Sequence, residues 1–350
     1  MRRIAYLDKE EEAHRAFFPT VDFAKEVAKI RNRRWRNKFN VQEYLDIIIN
    51  FGNDRLLVAS VGDLKELIRR VDKYLPDGAF YSKKVKSKFE TYYTQINKKL
   101  ESIFDYDSFM SRTGQKGNRW GGAYLALRLA QDVKFCPYCN AETVESFQFD
   151  GDGELKVVKS AFDHFFPLAR YPFLGLSLYN LIPACNRCNS RFKLDKTDGL
   201  MDCCHPYANK DEEPIDFHDG MKFVLVLKNI FCQMRCNKTD FAGVALVERK
   251  FGAFYSGLIY KEIFRIDEVY SKIYLQDAID VFWKATRYPL SYIDSKVEQL
   301  RGLGANKADI ERMIYGAPLD VEEINKHRFA KMIIDIVDTY KAKCVDSNAD

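Results

Sequence analysis

The sequence predicts an α+β fold, a mainly helical chain wrapped around a small ββα unit. Three observations carry the prediction. Helix-period apolar patterns occupy most of residues 1–130 and nearly everything after residue 256. Strand-type alternation is concentrated between those stretches. Two Cys-x-x-Cys pairs, Cys136/Cys139 and Cys185/Cys188, bracket the middle stretch with 45 residues between them. The 350 residues therefore divide into a basic helical region 1–130, a cysteine-bracketed region 131–255 and a helical region 256–350. That length accommodates two or three domains with substantial cores.

The elements run in chain order. Residues 1–20 carry no clear pattern beyond a turn at Pro19. Val21–Arg36 reads as a helix from the recurrence of Phe23, Val27 and Ile30, and Val41–Asn50 as a second, stopped near Gly52. Asp63–Tyr74 and Lys84–Ile103 read as two more, separated by the turn Pro76-Asp77-Gly78. The glycine-rich run Thr113–Gly122 lacks the Gly-Lys-Ser/Thr ending of a phosphate-cradling P-loop, so that function is excluded. Ala123–Val133 is a helix leading into the first cysteine pair. Thr143–Phe149 and Glu154–Ser160 alternate as strands around the hairpin signal Asp150-Gly-Asp-Gly153. Ala161–Pro167 and Leu176–Ile182 supply the two strands of the ββα unit, and Asn186–Leu194 its helix. Met201–Tyr207 reads as an extended closing segment, with Cys204 and His205 as weak metal candidates. Lys222–Lys228 and Gly243–Arg249 read as strands. Helices are expected over Leu258–Ile263, Ile266–Arg287, Tyr292–Gly302, Lys307–Tyr315 and Val321–Ala342.

The cysteine pairs predict a metal. Two Cys-x-x-Cys turns supply four thiolates, the set a tetrahedral structural zinc prefers. Pro137 fixes φ in the first turn, and Asn140 and Asn189 come directly after the pairs as residues that tolerate left-handed backbone. Nine cysteines, an odd number, with four in such turns, favour a reducing compartment and hence the cytoplasm. The basic start has no apolar run behind it and no stretch approaches 18 apolar residues, so neither a signal peptide nor a membrane span is expected.

The residues between and after these pairs resemble the HNH endonucleases, a group of the ββα-metal nucleases. His164 comes after Asp163, Asn180-Leu181 opens the second strand, and Cys185, Cys188 and Asn189 stand at offsets of five, eight and nine from Asn180. Lys193 takes the basic position four residues later. The chain is an H-N-N variant, with Asn189 where many members carry a third signature His. The resemblance covers about 60 residues strongly. It implies hydrolysis of a DNA phosphodiester bond with a 5′ phosphate left behind, and a role for Asn180 in holding the strand-connecting loop and orienting His164. The segment Glu262–Lys272 is similar to the stretch after the nuclease unit in HNH proteins of Septu-type and retron-associated bacterial defence systems. That implies an anti-phage effector working beside a partner ATPase.

The residue types suit that chemistry. Phosphodiester hydrolysis needs an activated water, a cation to absorb phosphate charge and help for the leaving oxygen. His164 is the expected base, since imidazole titrates near neutrality. Asp163 and Asn189 are oxygen donors suited to a catalytic Mg²⁺ or Mn²⁺. Successive strand residues face opposite ways, so Asp163 and His164 can share a site only if the strand bends or the metal lies at its end. Arg187, Arg191 and Lys193 are placed to meet phosphates. Residues 1–130 hold 26 Lys+Arg against 17 Asp+Glu, a charge of +9, while the remainder holds 29 against 33, a charge of −4. Within the basic third, Lys29–Lys38, with Arg33, Arg34 and Arg36 around Trp35, is the strongest phosphate-contact cluster. The alternative function is a zinc-organised nucleic-acid-binding or scaffolding subunit that does not cleave.

Overall fold

The computed structural model describes all residues except 1, 6, 18–21, 34–38, 76–87, 112–119, 152–153, 195–198, 228–240, 251–254 and 347–350. It is a mixture of helix and small antiparallel sheets, an α+β arrangement. No helix among the described residues is long and apolar enough to cross a membrane.

The first region contains α1 (Asp8–Phe17), α2 (Phe23–Arg33), α3 (Phe39–Phe51), α4 (Asn53–Val58), α5 (Val61–Asp72), α6 (Lys88–Ile103), α7 (Tyr106–Ser111) and α8 (Gly122–Leu129). In α5 the Ser60 side chain accepts from the Asp63 amide at 3.2 Å and caps the helix. Leu64, Leu67, Ile68 and Val71 then form one buried stripe. Helix α2 packs on α3 and α6, and α3 on α5. Sequence periodicity misses α1, α4 and α7. Helix α1 is largely charged, and the other two span six residues each, too short for an amphipathic repeat to register.

Three two-stranded antiparallel sheets come next: β1 (Phe147–Gly151) with β2 (Glu154–Val158), β3 (Phe162–His164) with β4 (Leu181–Pro183), and β5 (Met221–Leu227) with β6 (Phe241–Glu248). The first is an exposed hairpin whose Phe147 and Phe149 both face solvent. The second is shorter than the sequence predicts, with register Phe162↔Pro183, Asp163↔Ile182 and His164↔Leu181. A 3₁₀ turn at Leu178–Asn180 replaces the start of the expected second strand. Met201–Tyr207 is not extended: Cys203 N bonds to Leu200 O, and the segment folds into turns that bury Cys203, Cys204, His205 and Tyr207.

Beyond a short α9 (Phe217–Gly220) come α10 (Tyr255–Ile263), α11 (Ile266–Lys272), α12 (Leu275–Arg287), α13 (Leu290–Leu300), α14 (Lys307–Tyr315) and α15 (Ala330–Asp346). Two helices expected to be continuous are broken. The break between α11 and α12 falls at Ile273–Tyr274. A 3₁₀ segment Val321–Lys326 precedes α15, and Phe329 between them takes a left-handed φ of 60°. Tyr274 and Phe329 pack against each other at these breaks, with ring centroids 4.8 Å apart and the planes tilted by 60°. Tertiary packing of the two aromatics, invisible to periodicity, accompanies both interruptions.

Candidate active site

The first cysteine turn closes on itself before it meets anything else. Asn140 N donates to Cys136 O at 2.7 Å and Cys136 N to Glu142 O at 2.8 Å. Asn140 adopts the left-handed conformation, φ 52°, as its place after the pair predicts. Its buried side chain donates to Ile324 O at 2.7 Å and accepts from Lys331 N at 3.1 Å. Tyr260 donates to Pro137 O and Tyr138 O, and Tyr270 to Cys139 O at 2.7 Å. Three C-terminal elements thus grip the backbone of the turn.

The four sulfurs converge. Cys136, Cys139, Cys185 and Cys188 are buried, and their Sγ atoms all lie within 4.8 Å of one another. Zn–S bonds of about 2.3 Å in a tetrahedron set sulfurs about 3.8 Å apart, and Cys139 Sγ stands 3.9 Å from Cys185 Sγ. Hydrogen bonding from Cys136 pulls the thiols of Cys139 and Cys185 below their ordinary range, while burial pushes that of Cys136 up. The group fits a structural zinc ion, and among the described residues no other set of three His, Cys, Asp or Glu side chains does.

On β3, Asp163 is buried and His164 half-buried, and as successive strand residues they face opposite ways. The His164 Nε2 lies 3.1 Å from Gly175 O. A carbonyl only accepts, so Nε2 carries the proton and neutral imidazole keeps its lone pair on Nδ1. Tyr106 of α7 sets its ring edge-on to the imidazole at 4.5 Å. Burial holds the His164 pKa below its usual value, so the ring is neutral near pH 7.

Asn180 fixes the loop that supplies Gly175. Its Oδ1 accepts from Phe166 N at 2.8 Å, and its Nδ2 donates to Phe166 O and Leu174 O at 3.1 and 3.2 Å. The loop is tied outward as well. His14 Nε2 donates to Leu176 O at 2.7 Å, Arg170 pairs with Asp72 at 2.8 Å, and Ser177 donates to Leu56 O. Gly175 packs so closely that an added Cβ would meet Phe104 O at 3.0 Å. The helices of the first region therefore cradle the loop.

No family model matches the chain. No solved structure matches it either. Among curated proteins, protein ea31 of Escherichia phage lambda is 31% identical over 96 residues, 27% of this chain. The chain spans only 28% of that relative's length.

Several roles expected from the sequence change in the structure. Asp163, expected to bind Mg²⁺ or Mn²⁺, instead accepts from Lys193 Nζ on Oδ1 at 2.9 Å and from Tyr138 OH on Oδ2 at 2.6 Å. Lys193, expected to meet phosphate, is fully buried and also donates to His164 O at 2.6 Å. The reason is the winding of the helix. Residues Cys188–Lys193 form a π-helix, with Leu194 N bonded to Asn189 O, so Lys193 stacks five residues from buried Cys188 instead of four from Asn189. Arg187, also expected on phosphate, is turned onto the first cysteine turn, where Glu142 lies at 3.3 Å, Tyr274 OH at 3.2 Å and Cys139 Sγ at 4.0 Å. Arg191 is exposed and Asn189 half-buried, and among the described residues neither side chain is hydrogen-bonded. Arg33 ends α2, whereas Arg34 and Arg36 lie outside the described residues. Sequence reasoning misses Tyr138 and Tyr106. The position of Tyr138 inside the Cys-Pro-Tyr-Cys turn is the available signal.

Proposed function

We propose that the chain is an HNH endonuclease, hydrolysing DNA phosphodiester bonds in the cytoplasm with His164 as general base. One observation carries the reading: the Nε2–H of His164 is committed to Gly175 O while Nδ1 keeps a lone pair, on a ring held by a β3–β4–helix unit. In this role His164 Nδ1 takes a proton from the attacking water. Asn180 keeps Gly175 in place, and the exposed Arg191 is free to contact a phosphate oxygen. The structural zinc on Cys136, Cys139, Cys185 and Cys188 holds the two turns together.

Hydrolysis still calls for Mg²⁺ or Mn²⁺, because phosphate charge must be absorbed. Asp163 in its present pairing does not fit as a ligand: an ammonium already occupies one oxygen and a phenol the other. The same pair favours the second reading, a zinc-organised nucleic-acid-binding or scaffolding subunit. By the resemblance at Glu262–Lys272, the endonuclease would act as an anti-phage effector with a partner ATPase.

A nicking assay decides. Wild-type protein with Mn²⁺ or Mg²⁺ should convert supercoiled plasmid to open circles, EDTA should stop it, and His164→Ala should lose on the order of 10²–10⁴ in rate. An RNA arm separates the two nucleic acids. A His164→Ala protein that nicks at the wild-type rate sinks the enzyme reading, and DNA retained in EDTA without nicking by any metal supports the second.

A further inference from the structure

Between the cysteine cluster and His164 runs one continuous buried chain of polar contacts. It begins at Tyr138, which lies between two of the cysteines and whose ring stacks on Phe264 with centroids 4.1 Å apart. The Tyr138 hydroxyl donates to Asp163 Oδ2 at 2.6 Å, and Asp163 Oδ1 accepts from Lys193 at 2.9 Å. Lys193 donates in turn to the carbonyl of His164 at 2.6 Å. Tyr138 and Lys193 are fully buried and Asp163 nearly so. Lys193 ends the π-helix that starts at Cys188, so each cysteine turn sends one arm to the neighbouring residues Asp163 and His164.

We propose that Tyr138 is a positioning residue that transmits the closure of the cysteine cluster to His164 through Asp163 and Lys193. The inference rests on the endonuclease reading and adds a residue to it. A phenylalanine would fill the same space and keep the stacking. Only the hydroxyl reaches Asp163, and its donation fixes which way the carboxylate faces Lys193. In a dry interior such charge-assisted bonds are short and directional. The backbone carbonyl that Lys193 holds adjoins the Cα from which the imidazole projects. Displacements well under 1 Å at a general base change rate without changing substrate affinity.

The experiment is Tyr138→Phe in the full-length chain, read three ways. Zinc content by elemental analysis and the circular dichroism spectrum should match wild type, since the cluster and the ring packing are retained. Plasmid nicking should lose about tenfold in kcat with KM for DNA altered less than about twofold. In spectra of protein labelled at histidine, the His164 ring signals, assigned with His164→Ala, should move while those of His327, directly after the 3₁₀ segment Val321–Lys326, stay put. Unchanged kcat together with unmoved His164 signals overturns the proposal, as does a loss confined to KM. If wild-type protein cleaves no nucleic acid, the endonuclease reading fails by itself. The His164 signals then decide the coupling alone: movement supports it and stillness overturns it.

Discussion

The two ends of the β3–β4 unit are held by different means. At the cysteine end, four sulfurs within 4.8 Å of one another need a cation to be stable as thiolates. Around them α10, α11 and the approach to α15 bond the turn through backbone carbonyls. At the loop end nothing among the described residues resembles a metal site. Helices α1, α4 and α5 secure the loop by separate hydrogen bonds and one ion pair. The first end is a single cooperative fastening; the second is a set of independent ones. The difference teaches which perturbations should be all-or-none and which graded. The Asp163–Lys193 pair lies where the two ends meet.

Removing the fastening is the largest test. Cys188→Ser should abolish stoichiometric zinc and with it most of the folded protein, since a structural zinc contributes about 10 kcal/mol or more in small zinc modules. Elemental analysis and thermal melting of the wild type and variant check this. An intact melt without zinc would make the two ends alike. Lys193→Met is next: it leaves Asp163 buried without its cation and should cost about 3–5 kcal/mol in urea unfolding. A cost under about 1 kcal/mol would place the pair in contact with water. The loop end should respond in a graded way to pH. His14 accepts from Trp120 on Nδ1 at 3.1 Å and donates from Nε2 to Leu176 O, and burial lowers its pKa to about 4. The unfolded chain takes up that proton near 6.5. The stability His14 contributes is therefore complete above pH 6.5 and is lost as pH falls from there toward 4, by about 3 kcal/mol. Unfolding titrations at pH 7 and 4.5, with His14→Gln as control, should show the wild type losing more. Equal losses would remove His14 from the account.

Local signals in the sequence announce the cysteine end well. The spacing of Cys136, Cys139, Cys185 and Cys188 specifies their convergence, and the tolerance of Asn140 for left-handed backbone anticipates its φ of 52°. The hairpin of β1 and β2 is announced by its glycine turn. Less legible are features set by long-range pairing. Nothing near Lys193 reveals that its helix winds with a five-residue hydrogen bond, and that winding separates a surface cation from a buried one. Asp163 can be read as a ligand because its partner is 30 residues away. The ties from His14 and Leu56 to the loop cross more than a hundred residues and leave no trace in any local window.

Those ties have a consequence for how such a unit can travel between proteins. A gene fragment encoding residues 131–255 alone would carry the four sulfurs and the histidine, but it would leave behind Asp72, Leu56 and His14, against which the strand-connecting loop is moored. Recombination would move the four sulfurs, but without Tyr260, Tyr270 and Ile324, which bond the first cysteine turn. The imidazole would arrive in its new host without the berth that aims it.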